Sequence, residues 1–105
     1  MQFEWNEEKA RTNFIKHRVL FETATLVFDD PYAVTRFDIF HSDEEQRFIT
    51  LGLADRRTVL FVVHTYRLEN TEESIRIVSA RLASPSERRT YEEAHTRTAG
   101  KPPRH

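Results

Sequence analysis

The chain has 105 residues, of which 38% are hydrophobic and 31% charged, with eight Phe and no Cys. This size and composition predict one compact domain, and the missing cysteine excludes disulfide frameworks, thiolate nucleophiles and Cys-based zinc sites. The net charge of −1 is unevenly distributed, because residues 1–45 sum to −5 and residues 46–105 to +4. We therefore expect a soluble cytoplasmic protein without a signal peptide or membrane span, whose second half carries the basic character.

The first part of the chain predicts a short strand followed by two helices. Residues 2–5 alternate polar and apolar side chains, which is typical of an edge strand. Asn6 is a good helix N-cap, and the basic residues 16–18 suit the end of the same helix. A second helix is predicted over Phe21–Phe28, ending before Pro31.

The rest of the chain predicts further strands and a third helix. The predicted strands are Tyr32–Phe37, Arg47–Leu53, Thr58–Tyr66 and Ser74–Arg81, separated by an acidic loop (38–46), a tight turn (54–57) and a polar loop (68–73). Residues 84–87 form a capping box that begins the last helix. The pattern predicts a single α+β domain over residues 1–97, with a small antiparallel sheet and the helices on one face, and a flexible tail over residues 98–105.

Basic residues at the ends of the predicted strands are the candidates for a functional site. The chain has no Walker loop, dinucleotide turn, nucleophile elbow or HExxH helix. Arg47 and His64 could share one edge of an antiparallel sheet, whereas Arg81, on the face of Ile77, falls at the opposite edge by simple register. A strand that simply emerges into solvent has the same pattern, so a structural role for each residue stays open.

An acidic loop raises the alternative of a metal site. His41 is followed by Asp43, Glu44 and Glu45, which are possible ligands. Their irregular spacing favours a solvated loop, and we expect neither a metal nor another cofactor.

Several segments in order resemble the BrnT family of ribonuclease toxins over about residues 3–93. They are Phe3–Asn6, Lys9-Ala10, Asn13, Lys16-His17, Phe21-Glu22, Val27–Pro31, His41-Ser42, Glu45, Arg47–Gly52, Val62–Thr65, Ile75–Arg81, Glu87 and Tyr91-Glu92. The family usually has glycine after the Lys-His pair where this chain has Arg18, so a different end of the first helix is expected.

The resemblance implies a RelE-like fold, endoribonuclease activity that arrests translation, and neutralisation by an antitoxin. The implied antitoxin is a BrnA-like protein with a ribbon-helix-helix region, and the pair is expected to bind promoter DNA only through that antitoxin. A non-catalytic RNA- or protein-binding module is the alternative function.

RNA supplies its own nucleophile, the 2′-hydroxyl, so cleavage without a metal needs a base, an acid and cations for the developing charge. We predict His64 as the acid–base residue, Arg47 and Arg81 as phosphate contacts, and Tyr91 as a residue that orients a base, with core packing as its alternative. The predicted RNA-binding residues are Lys16, His17, Arg67 and Arg76.

Overall fold

A computed structural model describes residues 1–69 and 71–99 of the chain. The elements are β1 (Gln2–Glu4), α1 (Glu7–His17), α2 (Phe21–Ala24), a 3₁₀ helix (Thr25–Asp29), β2 (Val34–Phe37), β3 (Phe48–Leu53), β4 (Val59–Glu69), β5 (Glu72–Leu82) and α3 (Pro85–Ala99). The predicted α+β class with three helices is confirmed. Helix α3 continues past residue 97 to Ala99, and the rest of the predicted tail, 100–105, lies outside the described residues. Within the described part of the chain, no helix is long and apolar enough to cross a membrane.

The sheet has five strands in the order β1-β5-β4-β3-β2. Neighbouring strands are antiparallel from β2 to β5, but β1 pairs with β5 in parallel, with Phe3 opposite Ile75. The prediction of an antiparallel sheet is therefore wrong for this pair. The reason is that β1 and β5 are joined through the rest of the domain rather than by a tight hairpin, which would have forced an antiparallel pair.

Helices cover both faces of the sheet. Helices α1, α2 and the 3₁₀ helix form a helical hairpin that packs on the face carrying Thr50, Val62 and His64. We call this face of the sheet the hairpin face. The opposite face, which carries Leu51 and Val59, packs against Tyr91 of α3, and we call it the α3 face. The prediction that all helices lie on one face is thus wrong. The central strands are apolar on both sides, so each side needs a cover.

A β-bulge in β5 decides which face its side chains occupy. Val63 pairs with Ser79 and His64 with Ile77, so Val78 is one extra residue on β5. Ile77 consequently packs in the core of the hairpin face, whereas Arg81 lies over the Phe61 ring, 3.8 Å from its centroid. The prediction that Arg81 and Ile77 share a face is wrong because a bulge reverses the alternation.

The ends of α1 are fixed by local chemistry. The Asn6 side chain accepts a hydrogen bond from the Lys9 N–H at 2.9 Å, which confirms the predicted N-cap. Arg18 ends the helix in the left-handed region with φ of 60°, and its N–H donates to the Phe14 carbonyl at 2.7 Å. The helix therefore ends in the conformation that glycine favours even though arginine occupies the position, and the expected departure does not occur.

Asn13 joins α1 to the edge of β5 beyond the end of β1. Its Nδ2 donates to the Ala80 carbonyl at 2.8 Å, and its Oδ1 accepts from the Ala80 N–H at 3.1 Å. The same Nδ2 donates to the Val19 carbonyl at 3.1 Å. This buried amide fixes the position of α1 against the sheet, because unpaired backbone groups there would be costly.

Candidate functional site

A groove of about 570 Å³ runs between α1 and the sheet. Residues of α1 that recur three or four positions apart form one wall, as expected for one side of a helix. The groove is lined by Asn6, Glu8, Lys9, Thr12, Asn13, Lys16, His17, Arg47, Val78 and Ser79. The wall therefore comes from the helix that Asn13 fixes, and part of the opposite side comes from the bulge in β5.

The groove is predominantly basic. Lys9, Lys16 and His17 contribute from α1, and Arg47 contributes from the residue before β3, while Glu8 is the one acidic lining residue among those described. His17 is half-buried, and Lys16 is exposed. Cations from two separate elements thus face one concave surface, which suits a polyanionic ligand.

The α3 face continues this basic surface along β4 and β5. Thr65 pairs with Arg76, and the alternation of β4 places Arg67 on the same face as Thr65. Arg67 donates to the Glu4 carboxylate of β1 at 2.8 Å, which agrees with that placement. Arg67 and Arg76 therefore share the part of this face that lies away from the α3 core. Arg47 directly precedes Phe48 of the hairpin face, so alternation assigns it to the α3 face as well.

Arg47 lines two concave surfaces at once. Besides the groove, it borders a hollow of about 500 Å³ formed by Phe40, His41, Asp43, Glu44 and Glu45. Its backbone N–H donates to Ser42 Oγ at 3.0 Å, and its carbonyl accepts from the Asp38 N–H at 2.8 Å. Its Nε is buried and has no hydrogen-bond partner within the described part of the chain. A fixed backbone that holds a guanidinium group at the groove is a suitable arrangement for an anion contact.

The acidic loop is braced by Asp38. The buried Asp38 carboxylate contacts His41 Nδ1 at 3.1 Å. The backbone carbonyl of Asp38 accepts a hydrogen bond from Ser42 Oγ at 2.6 Å. Among residues 1–69 and 71–99, no group of three possible metal-ligating side chains is found. The loop nevertheless exposes Phe40 to 82%.

His64 lies on the hairpin face, away from the groove. The ring is fully buried, and Nε2 lies 2.7 Å from Thr50 Oγ1, which lies 2.7 Å from Thr35 Oγ1. The Phe28 ring meets it edge to face at a centroid distance of 4.8 Å. Burial lowers the pKa of His64 from 6.5 to about 4, so the ring is neutral near pH 7.

Arg81 is held by the start of α3. Its two terminal nitrogens donate to both carboxylate oxygens of Glu87 at 2.8 and 2.9 Å. The predicted capping box is confirmed, since the Ser84 N–H donates to Glu87 at 2.8 Å and the Glu87 N–H donates to Ser84 Oγ at 3.2 Å. The Arg81 hydrogen bonds lower the pKa of Glu87 to about 2.

Tyr91 is also part of the contact between α3 and the sheet. Its ring is buried with Leu51 and Val59, and its hydroxyl donates to Asp30 Oδ2 at 2.6 Å. Burial, followed by the hydrogen bond to Asp30, raises the pKa of Tyr91. The same carboxylate oxygen accepts from the Leu53 N–H at 2.8 Å, so Asp30 links α3 to the end of β3.

The predicted residues thus divide between different places. The groove brings together Lys16, His17 and Arg47. It does not include His64, which lies within the central strand β4, opposite Phe48 and on the hairpin face. Lys9 also lines the groove and is not among the residues predicted for the site. Its signal was available, since Lys9 precedes Lys16 by two helical turns and so shares its side of α1.

Comparisons with known proteins agree with the fold. A crystal structure of the Brucella abortus ribonuclease toxin BrnT matches with a TM-score of 0.55 and 21% identity, covering 80% of this chain and 97% of that chain. A search of curated proteins finds no match. Residues 5–87 match the family described as "Ribonuclease toxin, BrnT, of type II toxin-antitoxin system". Because this match spans most of the sequence, the chain belongs to the BrnT family of ribonuclease toxins.

Proposed function

We propose that this protein is a toxin that cleaves RNA in the groove beside α1 without a metal ion, and that the cleavage arrests translation in the cytoplasm. The observation that carries the proposal is the convergence of Lys9, Lys16, His17 and Arg47 on one concave surface in a chain of this family. Each of these side chains suits a phosphate group or a neighbouring hydroxyl.

The arginines of the α3 face extend the binding surface beyond one nucleotide. Arg47 directly precedes β3 and Arg76 lies on β5, and these strands flank β4, so the two residues are about 9–10 Å apart across the sheet. That spacing allows successive phosphates of one RNA strand to be held by different guanidinium groups. Arg67, although already paired with Glu4, extends the same surface.

The chemistry that the groove offers supports the proposal of metal-free cleavage. The 2′-hydroxyl is the nucleophile, and guanidinium and ammonium groups can stabilise the charge that develops on the phosphorus oxygens. Arg47 is the residue that we assign to this task, because its side chain lines the groove together with Lys16 and His17. The loss of one such donor costs about 3 kcal/mol in other enzymes, or about a hundredfold in rate.

The predicted catalytic roles of His64, Arg81 and Tyr91 stay predictions. Each side chain has structural contacts in the folded chain: His64 with Thr50, Arg81 with Glu87, and Tyr91 with Asp30. For these residues a loss of activity on substitution has to be separated from a loss of stability.

The family is one of type II toxin–antitoxin systems, so an antitoxin is the implied partner. We propose that it is a BrnA-like protein with a ribbon-helix-helix region and that promoter DNA is bound only through it. A RelE-like relationship of the fold belongs to the same proposal.

The test is induced expression in a bacterial host together with an in vitro cleavage assay in EDTA. We expect the wild type to slow growth and to cut total bacterial RNA in EDTA, and Arg47→Ala to lose about a hundredfold in cleavage rate. Arg56→Ala, an exposed arginine in the turn between β3 and β4, is the matched control and should keep wild-type activity. A wild-type chain that neither slows growth nor cuts RNA refutes the proposal, and RNA that is bound but stays intact identifies a binding module instead.

A further inference from the structure

Among the histidines with described side chains, His17 is the one that lines the groove. It is the last residue of α1, it is half-buried, and it lines the groove with Lys16 and Arg47. An imidazole can act as both an acid and a base, and this position places it against a molecule bound in the groove.

The other histidines with described side chains are poorly placed to touch RNA. The His64 ring is fully buried on the hairpin face, so no ligand reaches it without a rearrangement of the core. His41 contacts the Asp38 carboxylate and borders a hollow with three further acidic side chains, which repel phosphate.

Resting on the proposed function, we propose that His17 is the acid–base residue of RNA cleavage. Neutral His17 accepts the proton of the 2′-hydroxyl while O2′ attacks phosphorus, so that the O2′–P bond forms. The P–O5′ bond breaks with its electron pair on O5′, and the imidazolium returns the proton to O5′. The products are a 2′,3′-cyclic phosphate and a 5′-hydroxyl, and no co-reactant is needed.

The charged groups around His17 suit this role. Glu8, Lys9 and Lys16 on α1 and Arg47 from the sheet are the charged residues that line the groove with it. Lys16 and Arg47 can hold the phosphate while His17 transfers the proton from O2′ to O5′. Glu8 precedes His17 by nine residues, which places it about 13 Å away along the helix axis, too far to act on the same phosphate.

The test compares the purified wild-type chain with His17→Gln, His17→Ala, His64→Gln and Ile15→Gln. Ile15 is 65% exposed on the same helix and is not among the groove residues, so its variant controls for changes to α1. Cleavage of total bacterial RNA is measured in EDTA from about pH 5 to pH 9, and the ends of the products are mapped. Affinity is measured with a 2′-O-methyl RNA, which cannot be cut.

We expect His17→Gln to reduce the cleavage rate by about 10²–10⁴-fold and to remove the limb of the pH–rate profile that reports an imidazole. Its affinity for 2′-O-methyl RNA should stay within about threefold of wild type, because the change removes proton transfer rather than phosphate binding. Ile15→Gln should keep the wild-type pH profile, and free imidazole should partly restore a His17→Ala variant. His64→Gln tests the rival acid–base residue, and loss of the imidazole limb in that variant rather than in His17→Gln would overturn the inference.

Three other results would overturn the inference. One is a folded His17→Gln chain with wild-type rate and pH profile. Another is an equal loss of rate and of RNA affinity, with no rescue by imidazole, which makes His17 a binding residue only. A wild-type chain that cuts no RNA removes the proposed function itself and this inference with it.

Discussion

We expect the stability of the protein to fall as the pH decreases from about 6.5 to about 4, and the fall to originate from His64. Burial keeps the pKa of the folded ring at about 4, whereas a histidine in the unfolded chain titrates near 6.5. Between these values the unfolded chain binds a proton that the folded chain does not, so lowering the pH favours unfolding. A difference of about 2.5 pH units at about 1.36 kcal/mol per unit corresponds to about 3 kcal/mol.

The measurement is urea unfolding, followed by circular dichroism, at several pH values between about 7 and 4. The His64→Gln variant should lose this pH dependence, while His17→Gln should retain it because the buried ring is still present. An unchanged pH dependence in His64→Gln would refute the reasoning. So would an NMR titration that places the His64 ring near pH 6.5.

Three further substitutions test individual contacts: an ion pair, a close packing contact and a buried hydrogen-bonded amide. Glu87→Gln keeps a capping-box side chain but removes the negative charge that pairs with Arg81. The Arg81 side chain is 36% exposed, so after solvent screening the substitution should lower the free energy of unfolding by about 1–2 kcal/mol at pH 7. Because the folded pKa of Glu87 is depressed, this contribution should vanish as the pH falls from about 4.5 to about 2, and a difference from wild type that persists in acid would contradict it. Gly52→Ala places a Cβ 2.9 Å from the Val27 Cβ and should cost about 1–3 kcal/mol in urea unfolding, whereas an unchanged midpoint would refute the tight contact. Asn13→Ala leaves buried backbone groups of β5 unpaired and should cost about 2 kcal/mol, and wild-type stability would show that water replaces the amide.

Local signals in the sequence predicted much of the secondary structure. Asn6 and the Ser84–Glu87 capping box act within one helical turn, so their chemistry is readable without the fold. The second predicted helix is α-helical only over Phe21–Ala24 and continues as a 3₁₀ helix to Asp29, close to its predicted end.

The arrangement of the site could not be predicted in the same way. The sequence predicted that Arg47 and His64 could share one edge of the sheet. His64 instead lies within β4, opposite Phe48, and alternation puts the two side chains on opposite faces. The bulge at Val78 puts Ile77 and Arg81 on opposite faces of the sheet, where simple alternation would put them on the same face. No residue type in β5 signals this bulge. The groove itself depends on the packing of α1 against β5, which is a long-range contact.

The Asn13 amide has a consequence for association between chains. Strand β1 covers only residues 74–76 of β5, and an uncovered strand edge is a template on which another strand can add. Asn13 occupies the Ala80 donor and acceptor with a side chain, which ends the hydrogen-bond ladder at that position. The residue that fixes one wall of the groove therefore also hinders the addition of another strand to this part of the β5 edge.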